Sequence, residues 1–256
     1  MTGPVISQRR ERRDLVVRHL TVAAVRPVTE HIVRVTLAGD DLAGFVATGP
    51  ADHVKLFFPA GDPAPGSADA PTVARDYTPL DFRPGANELD IDVVLHADGP
   101  ASAWAARARP GDRLTVAGPR GSRLVPDGLG TLVLVVDESA FPAAARWLRM
   151  TPPAVPITVL ACADGATTSS YFADVPGSER ARFVVGGDRE AALRAVPIDA
   201  RTYVFLAGEA TALVPLRRYL RRELGLPAEQ VRATGYWRRG VAGLDHHAPV
   251  DPDDPD

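Results

Sequence analysis

The chain has 256 residues, 45% of them hydrophobic, and a formal net charge of −3, which suits one large or two modest cores and leaves no basic field for general nucleic-acid binding. Its single cysteine, Cys162, excludes an internal disulfide and a multi-cysteine metal site. No apolar stretch approaches the ~18 residues of a membrane span and no apolar signal-peptide core opens the chain, so a cytoplasmic protein without membrane attachment is expected.

In chain order, residues 1–14 carry the run RRERR and read as a disordered basic tail. Residues 15–125 hold six strand candidates with β-type alternation, at 14–25, 31–39, 52–59, 74–82, 88–96 and 112–119, separated by Gly, Pro and Asp. Six such runs predict a small antiparallel β-barrel. The stretch 59–72, rich in Pro, Gly and Asp, reads as a flexible loop. The pattern changes near residues 124–130. Thereafter TLVLVVDE, PITVLACAD, RARFVVGG, TYVFLAG and QVRATGYW are strands that alternate with helices over AFPAAARWLRM, DREAALRAV and about 211–224. Strand-helix alternation means an open parallel sheet with helical crossovers, here over residues 126–240. Residues 241–256 read as a disordered acidic tail.

Two segments of the predicted barrel carry chemistry. In RDYTPLDF the Arg75 guanidinium can neutralise phosphate, the Tyr77 ring can lie against an isoalloxazine, and the Thr78 hydroxyl can reach a flavin edge. Some twenty residues on, HADGPASAWA places Gly99, Pro100, Ala101 and Ser102 at a helix start, where unpaired N–H groups and the positive dipole end face a pyrophosphate. His96 ends a strand beside that turn and suits a phosphate contact or a cap equally. Together, and in this order, the segments point to FAD. Elsewhere, Trp147 has the helical spacing of a packing residue, Cys162 ends an apolar strand, and His246 and His247 lie in the acidic tail without organised partners. Arg217, Arg218, Arg221 and Arg222 share one helix, as a solvated face or a site for nucleotide phosphates. P-loop, Ser-x-Gly elbow, zinc-finger and Rossmann-glycine patterns are absent, which removes kinase, hydrolase and zinc-enzyme readings.

A flavin barrel followed by an open α/β domain is the layout of the ferredoxin-reductase class. The pieces HVKLFFP, RDYTP, VLHADGPASAWAARARPGD, AGPRGS, DESAFPAAARWL, AGEATALVPLRRYLRRELGL and VRATGYWRRG, in this order, resemble the siderophore-interacting protein family, flavin-dependent ferric-siderophore reductases. The resemblance implies FAD held between the barrel and an NAD(P)H-binding α/β domain, with Arg75, Tyr77 and Thr78 as its flavin strand and His96, Ala97, Pro100, Ala101, Ser102 and Trp104 as its second flavin segment. It further implies that Asp137, Glu138, Ser139 and Pro142 form the turn where nucleotide and flavin meet. Gly208 and Glu209 match a second turn lining the same crevice, and Tyr236, Trp237 and Arg238 a C-terminal aromatic segment near the cofactor. Both turns fall at carboxyl ends of predicted parallel strands, where open α/β sheets bind ligands. Lys55 is the one lysine among 29 basic residues and matches a position where the family presents a cation to the siderophore. A surface lysine on a barrel strand is the alternative.

The chain departs from the family at Leu80, where a second arginine is usual, and at Ala97 and Val136, where glycine is common. The implied chemistry is hydride transfer from NADPH or NADH to FAD, then one-electron reduction of Fe(III) in a siderophore, with no side chain acting as nucleophile, general acid or metal ligand. An electron-donor protein in place of the nucleotide stays open. Competing readings are a general flavin reductase or NAD(P)H oxidase, and a non-catalytic flavin- or siderophore-binding protein.

Overall fold

The computed structural model describes residues 6–59, 72–96, 99–245 and 247–254. The expected loop 59–72, apart from its two end residues, lies outside the described residues, as do Ala97 and His246. The chain divides into two compact units, Arg10–Arg123 and a second made of Met1–Arg9 with Leu124–Asp256.

The first unit is antiparallel. Its strands are β1 (Arg10–Arg12), β2 (Val17–Pro27), β3 (Ile32–Ala38), β4 (Val54–Pro59), β5 (Thr72–Tyr77), β6 (Pro79–Arg83), β7 (Glu88–Val94), β8 (Arg113–Ala117) and β9 (Gly121–Arg123), with one helix, α1 (Pro100–Ala105). Seven of these form a sheet in the order β5-β4-β8-β2-β3-β7-β6. Its inner face is a core that includes Val54, Leu56, Phe58, Leu89, Ile91 and Trp104. The sheet has seven strands instead of the expected six because the run 74–82 breaks at Thr78. Its first half pairs with β4 and its second half with β7.

The basic run is not a free tail. Arg10, Glu11 and Arg12 pair with Arg123, Ser122 and Gly121. Glu11 offsets its arginine neighbours, its carboxylate binding Arg13 at 2.5 Å and the Thr48 hydroxyl at 2.7 Å. Gly121 makes the pairing possible, since a Cβ there would lie 2.4 Å from the Glu11 carbonyl oxygen.

The second unit contains β10 (Thr131–Val136), α2 (Phe141–Met150), β11 (Ile157–Ala161), α3 (Gly165–Phe172), β12 (Ala181–Val185), α4 (Arg189–Arg194), β13 (Thr202–Glu209), α5 (Ala210–Arg218) and β14 (Val231–Trp237). The strands form an all-parallel sheet in the order β12-β11-β10-β13-β14. From Leu132 to Val136, β10 is buried throughout, as a central strand covered on both faces requires. Trp147 is 1% exposed and packs against Tyr203 and Phe205, as its spacing predicts. α3 has no apolar stripe to betray it. It starts where the Asp164 carboxylate accepts from the Thr167 N–H at 2.8 Å and the Thr167 hydroxyl at 2.6 Å.

Described residues of the expected acidic tail also pack against the second unit. Val250 joins the hydrophobic core of this unit, and Asp251 accepts two bonds from the Arg218 guanidinium at 2.5 and 2.8 Å. Asp254 binds Arg217 at 2.8 Å and Arg222 at 3.3 Å. Arg217, Arg218 and Arg222 therefore bind the chain's own carboxylates, while Arg221 donates to the Leu226 carbonyl. Among the described residues no helix is long and apolar enough to cross a membrane, and no cluster of three or more metal-ligating side chains occurs.

Candidate functional site

In the first unit the register of β4 against β5 sets which side chains stand together. Val54 opposes Tyr77, Lys55 opposes Asp76 and Leu56 opposes Arg75. Directly opposed residues share a face. Because Val54 and Leu56 are core residues, Arg75 and Tyr77 lie on the core side, and Lys55 and Asp76 on the other. Lys55 is ion-paired with Asp76 at 3.0 Å. The fold thus separates Lys55 from the flavin-strand residues by the thickness of the ribbon and offsets its charge. Arg75 is half-buried and its Nη1 donates to the Ala74 carbonyl at 2.8 Å. Burial pushes the Tyr77 phenol well above its usual pKa, against a smaller downward pull from Arg75. The ring is therefore a neutral, largely apolar surface at working pH. Thr78 is buried at the corner between β5 and β6.

The second segment is tied to the first through Phe58, a residue the sequence did not single out. Its ring meets Tyr77 edge-on at 5.8 Å and Trp104 at 5.4 Å. Trp104 is 5% exposed, so it anchors α1 in the core. Gly99 caps α1 at φ 151°, and Pro100 opens the helix, followed by Ala101 and Ser102. A Cβ on Gly99 would lie 2.6 Å from the His96 ring, so the exposed imidazole sits tightly over the turn. Ser102 Oγ accepts from the His96 N–H and donates to the His96 carbonyl, both at 2.8 Å. That side chain is a bolt between the end of β7 and the start of α1. The first-turn N–H groups it holds in place have no intrahelical acceptor and suit an anion. Leu80 is fully buried, so the phosphate contact an arginine there would supply is absent from this chain.

In the second unit, β10 has its successor β11 on one side and β13 on the other, which makes the carboxyl ends of β10 and β13 the topological switch point of the sheet. A shallow crevice there is lined by Asp137, Cys162, Arg189, Gly208 and Glu209 among others. Asp137 Oδ1 accepts from the Ser139 N–H at 3.0 Å and from its hydroxyl at 2.5 Å, capping the turn through Glu138 that leads into α2. Asp137 Oδ2 accepts from the Glu209 N–H at 2.8 Å and from the Trp237 indole at 2.9 Å. Glu209 caps α5 through the Ala212 N–H at 2.7 Å and accepts from the Arg239 N–H at 3.2 Å. Burial works to raise the Glu209 pKa, but these backbone donors and Thr211 outweigh it and hold the carboxyl below its ordinary value. Burial pushes the Cys162 thiol up to about 11. Asp137, Ser139, Gly208, Glu209 and Trp237 are thus brought together. Pro142 is buried at the start of α2, Tyr236 is half-buried, and Arg238 is half-buried just past β14. Val136 is fully buried in the sheet. Cys162 and Arg189 join the crevice without a local motif; only the strand order reveals their place.

Comparison with known proteins covers both units. A model of the siderophore-interacting FAD-binding domain matches residues 21–123, and one of the siderophore-interacting protein matches residues 130–240. The chain is 36% identical over 248 residues to the NADPH-dependent ferric-chelate reductase of Escherichia coli, covering 89% of this chain and 95% of that protein. It is 29% identical over 236 residues to the ferric vibriobactin reductase of Vibrio cholerae, covering 83% and 86%. The crystal structure of a siderophore utilization protein from T. fusca superposes with a TM-score of 0.82 at 38% identity, covering 94% of this chain and all of that one.

Proposed function

The chain belongs to the siderophore-interacting protein family, and from that premise we propose that it is an FAD-dependent NAD(P)H oxidoreductase that reduces iron(III) held by siderophores. The observation that carries this reading is the 36% identity, across nearly the whole of both chains, to a protein named for ferric-chelate reduction. The flavin segments support it, because the tight Gly99 turn, locked by Ser102, suits a pyrophosphate, and Arg75 and Tyr77 suit phosphate charge and an apolar ring.

When bound, FAD supplies two-electron uptake from a nicotinamide and one-electron delivery to iron. The protein's own work is binding and orientation. Arg75 balances phosphate charge, Tyr77 stays protonated and offers its ring, and Thr78 offers a hydroxyl at the strand corner. The crevice at Asp137, Gly208 and Glu209 is the place for the nicotinamide nucleotide, with Arg189 and Arg238 as the cations available to its phosphates. Lys55 serves the anionic chelate. Ferrous iron is a poorer partner than ferric iron for hard oxygen ligands, so reduction releases it. A nucleotide-dependent reaction of this kind belongs in the cytoplasm, where NAD(P)H is held reduced.

The test is the absorbance of the purified protein with FAD, followed anaerobically through addition of NADPH or NADH and then a ferric siderophore. Flavin bands that bleach with nucleotide and return with the chelate establish the reductase; flavin that binds but does not bleach makes it a binding protein or one served by another donor. The Lys55–Asp76 ion pair favours a second reading, a reductase with little chelate selectivity. Equal rates with anionic siderophores and neutral chelates support that reading over the first.

A further inference from the structure

Three strands of the parallel sheet end on a single carboxylate. Asp137 follows β10, receives the Glu209 N–H from the end of β13 and receives the indole N–H of Trp237 from the end of β14. Two backbone features exist to make this convergence possible. At Gly208, φ is 145° and a Cβ would stand 2.4 Å from Asp137 Oδ2, so only glycine lets the carboxylate reach across the strand. Beyond it the register between β13 and β14 shifts, pairing Gly208 with Gly235 but Glu209 with Trp237. Tyr236 is the extra residue of this bulge. Without it Tyr236 would oppose Glu209 and the indole would turn to the other face, so the bulge re-aims Trp237 toward Asp137. Despite the bond, Trp237 remains 41% exposed beside Asp137, which itself lines the crevice. Held at its nitrogen and exposed on its ring, Trp237 is a pre-ordered aromatic surface.

We propose that Asp137 is a positioning residue for nucleotide binding: by holding the Trp237 indole nitrogen it fixes that ring as a wall of the site for the nicotinamide nucleotide. The inference rests on the assignment of this crevice to the nucleotide, and it adds a task for Asp137 that acts through another side chain. Trp237→Phe keeps a ring but loses the donor. Asp137→Asn keeps an acceptor for the Ser139 cap but weakens the clamp.

The experiment uses the whole protein and two readouts that need no turnover. Of the three tryptophans, Trp104 and Trp147 are 5% and 1% exposed, so acrylamide quenching of the native protein reports chiefly on Trp237. In Asp137→Asn, with the thermal melt confirming a folded chain, quenching rises and emission shifts to the red. The dissociation constant for NADP+ or NAD+, read by titration calorimetry, rises about tenfold in Asp137→Asn and in Trp237→Phe, and no further in the double variant, because one charge-assisted hydrogen bond is lost in each. Rescue is expected in Asp137→Glu only in part, since the longer side chain cannot keep the Ser139 and indole contacts together. Unchanged quenching in Asp137→Asn overturns the clamp. Additive losses in the double variant, or no nucleotide binding by the unaltered protein, overturn the link to nucleotide. If nucleotide binds and depends on the clamp but the flavin is not reduced, the reductase reading fails and this inference stands.

Discussion

At the scale of single residues, Gly208 is among the tightest glycine positions of the described residues. A methyl group there meets the Asp137 carboxylate at less than van der Waals distance and demands a positive φ that an L-residue rarely adopts. Gly208→Ala is expected to destabilise the second unit by about 1–3 kcal/mol. Displacing the carboxylate also frees the indole, so acrylamide quenching of tryptophan rises in the same variant; a normal melting temperature with unchanged quenching contradicts the strain argument. Lys55 gives a prediction of the opposite kind, a gain. Its side chain is 42% exposed and its partner Asp76 is 19% exposed, so the pair is a surface one worth only ~0–1 kcal/mol. Asp76→Asn therefore costs little stability and unmasks a cation. If Lys55 serves the chelate, KM for an anionic ferric siderophore falls roughly two- to fivefold at low salt, the gain disappears at high salt, and a neutral chelate shows no change. A gain shared by neutral chelates removes Lys55 from substrate binding.

At the scale of elements, the first flavin segment is a strand corner and the second a helix start, and each is legible for a different reason. Arg75, Tyr77 and Thr78 form a contiguous motif, and Gly99-Pro100 is local punctuation, so both stand out in one dimension. Their linkage does not, because it runs through the ring of Phe58, which a sequence shows only as one more apolar residue. The same limit explains the missed split at Thr78, where one apolar run serves two partner strands; the resemblance gathers the Asp137, Glu209 and Trp237 segments, but not the hydrogen bonds that join them on Asp137 from 72 and 100 residues away. Strand order in the parallel sheet is the information that gathers Cys162 and Arg189 to the crevice. The Ser102 bolt carries its own test. Ser102 is 4% exposed, and Ser102→Ala leaves the His96 N–H and carbonyl without that partner, which costs about 1–3 kcal/mol. Because the bolt fixes the turn offered to the pyrophosphate, the variant is expected to lose FAD on desalting faster than the unaltered protein. A variant that melts lower yet retains flavin equally well makes the bolt structural only.

At the scale of the whole chain, charge composition misleads at both ends in the same way: a basic N-terminal run and an acidic C-terminal run look like solvated tails because each is read without its partner. The first is closed by Glu11 and the glycine backbone at 121, the second by arginines some thirty residues upstream. The C-terminal contact is more than a surface pairing, since Val250 is buried in the core of its unit and the Asp251 side chain is 1% exposed. Removing residues 250–256 takes away the burial of one valine, worth about 1.5–3 kcal/mol, and with it the carboxylates that face Arg217, Arg218 and Arg222. The pH dependence separates the two contributions. Hydrogen bonding to Arg218 pulls the Asp251 pKa down to about 2, against a smaller upward effect of burial. A carboxyl depressed on folding stabilises fully above its unfolded value of ~3.9 and loses that contribution as pH falls through its folded value. The stability gap between full-length and truncated chains, measured by denaturant midpoint, should therefore be constant from neutrality to about pH 5 and narrow between about pH 4 and pH 2, leaving the valine share. Asp251→Asn should reproduce the part that narrows and Val250→Ala the part that does not. A gap that stays constant down to about pH 2 shows that the arginine face holds the tail without help from its charge.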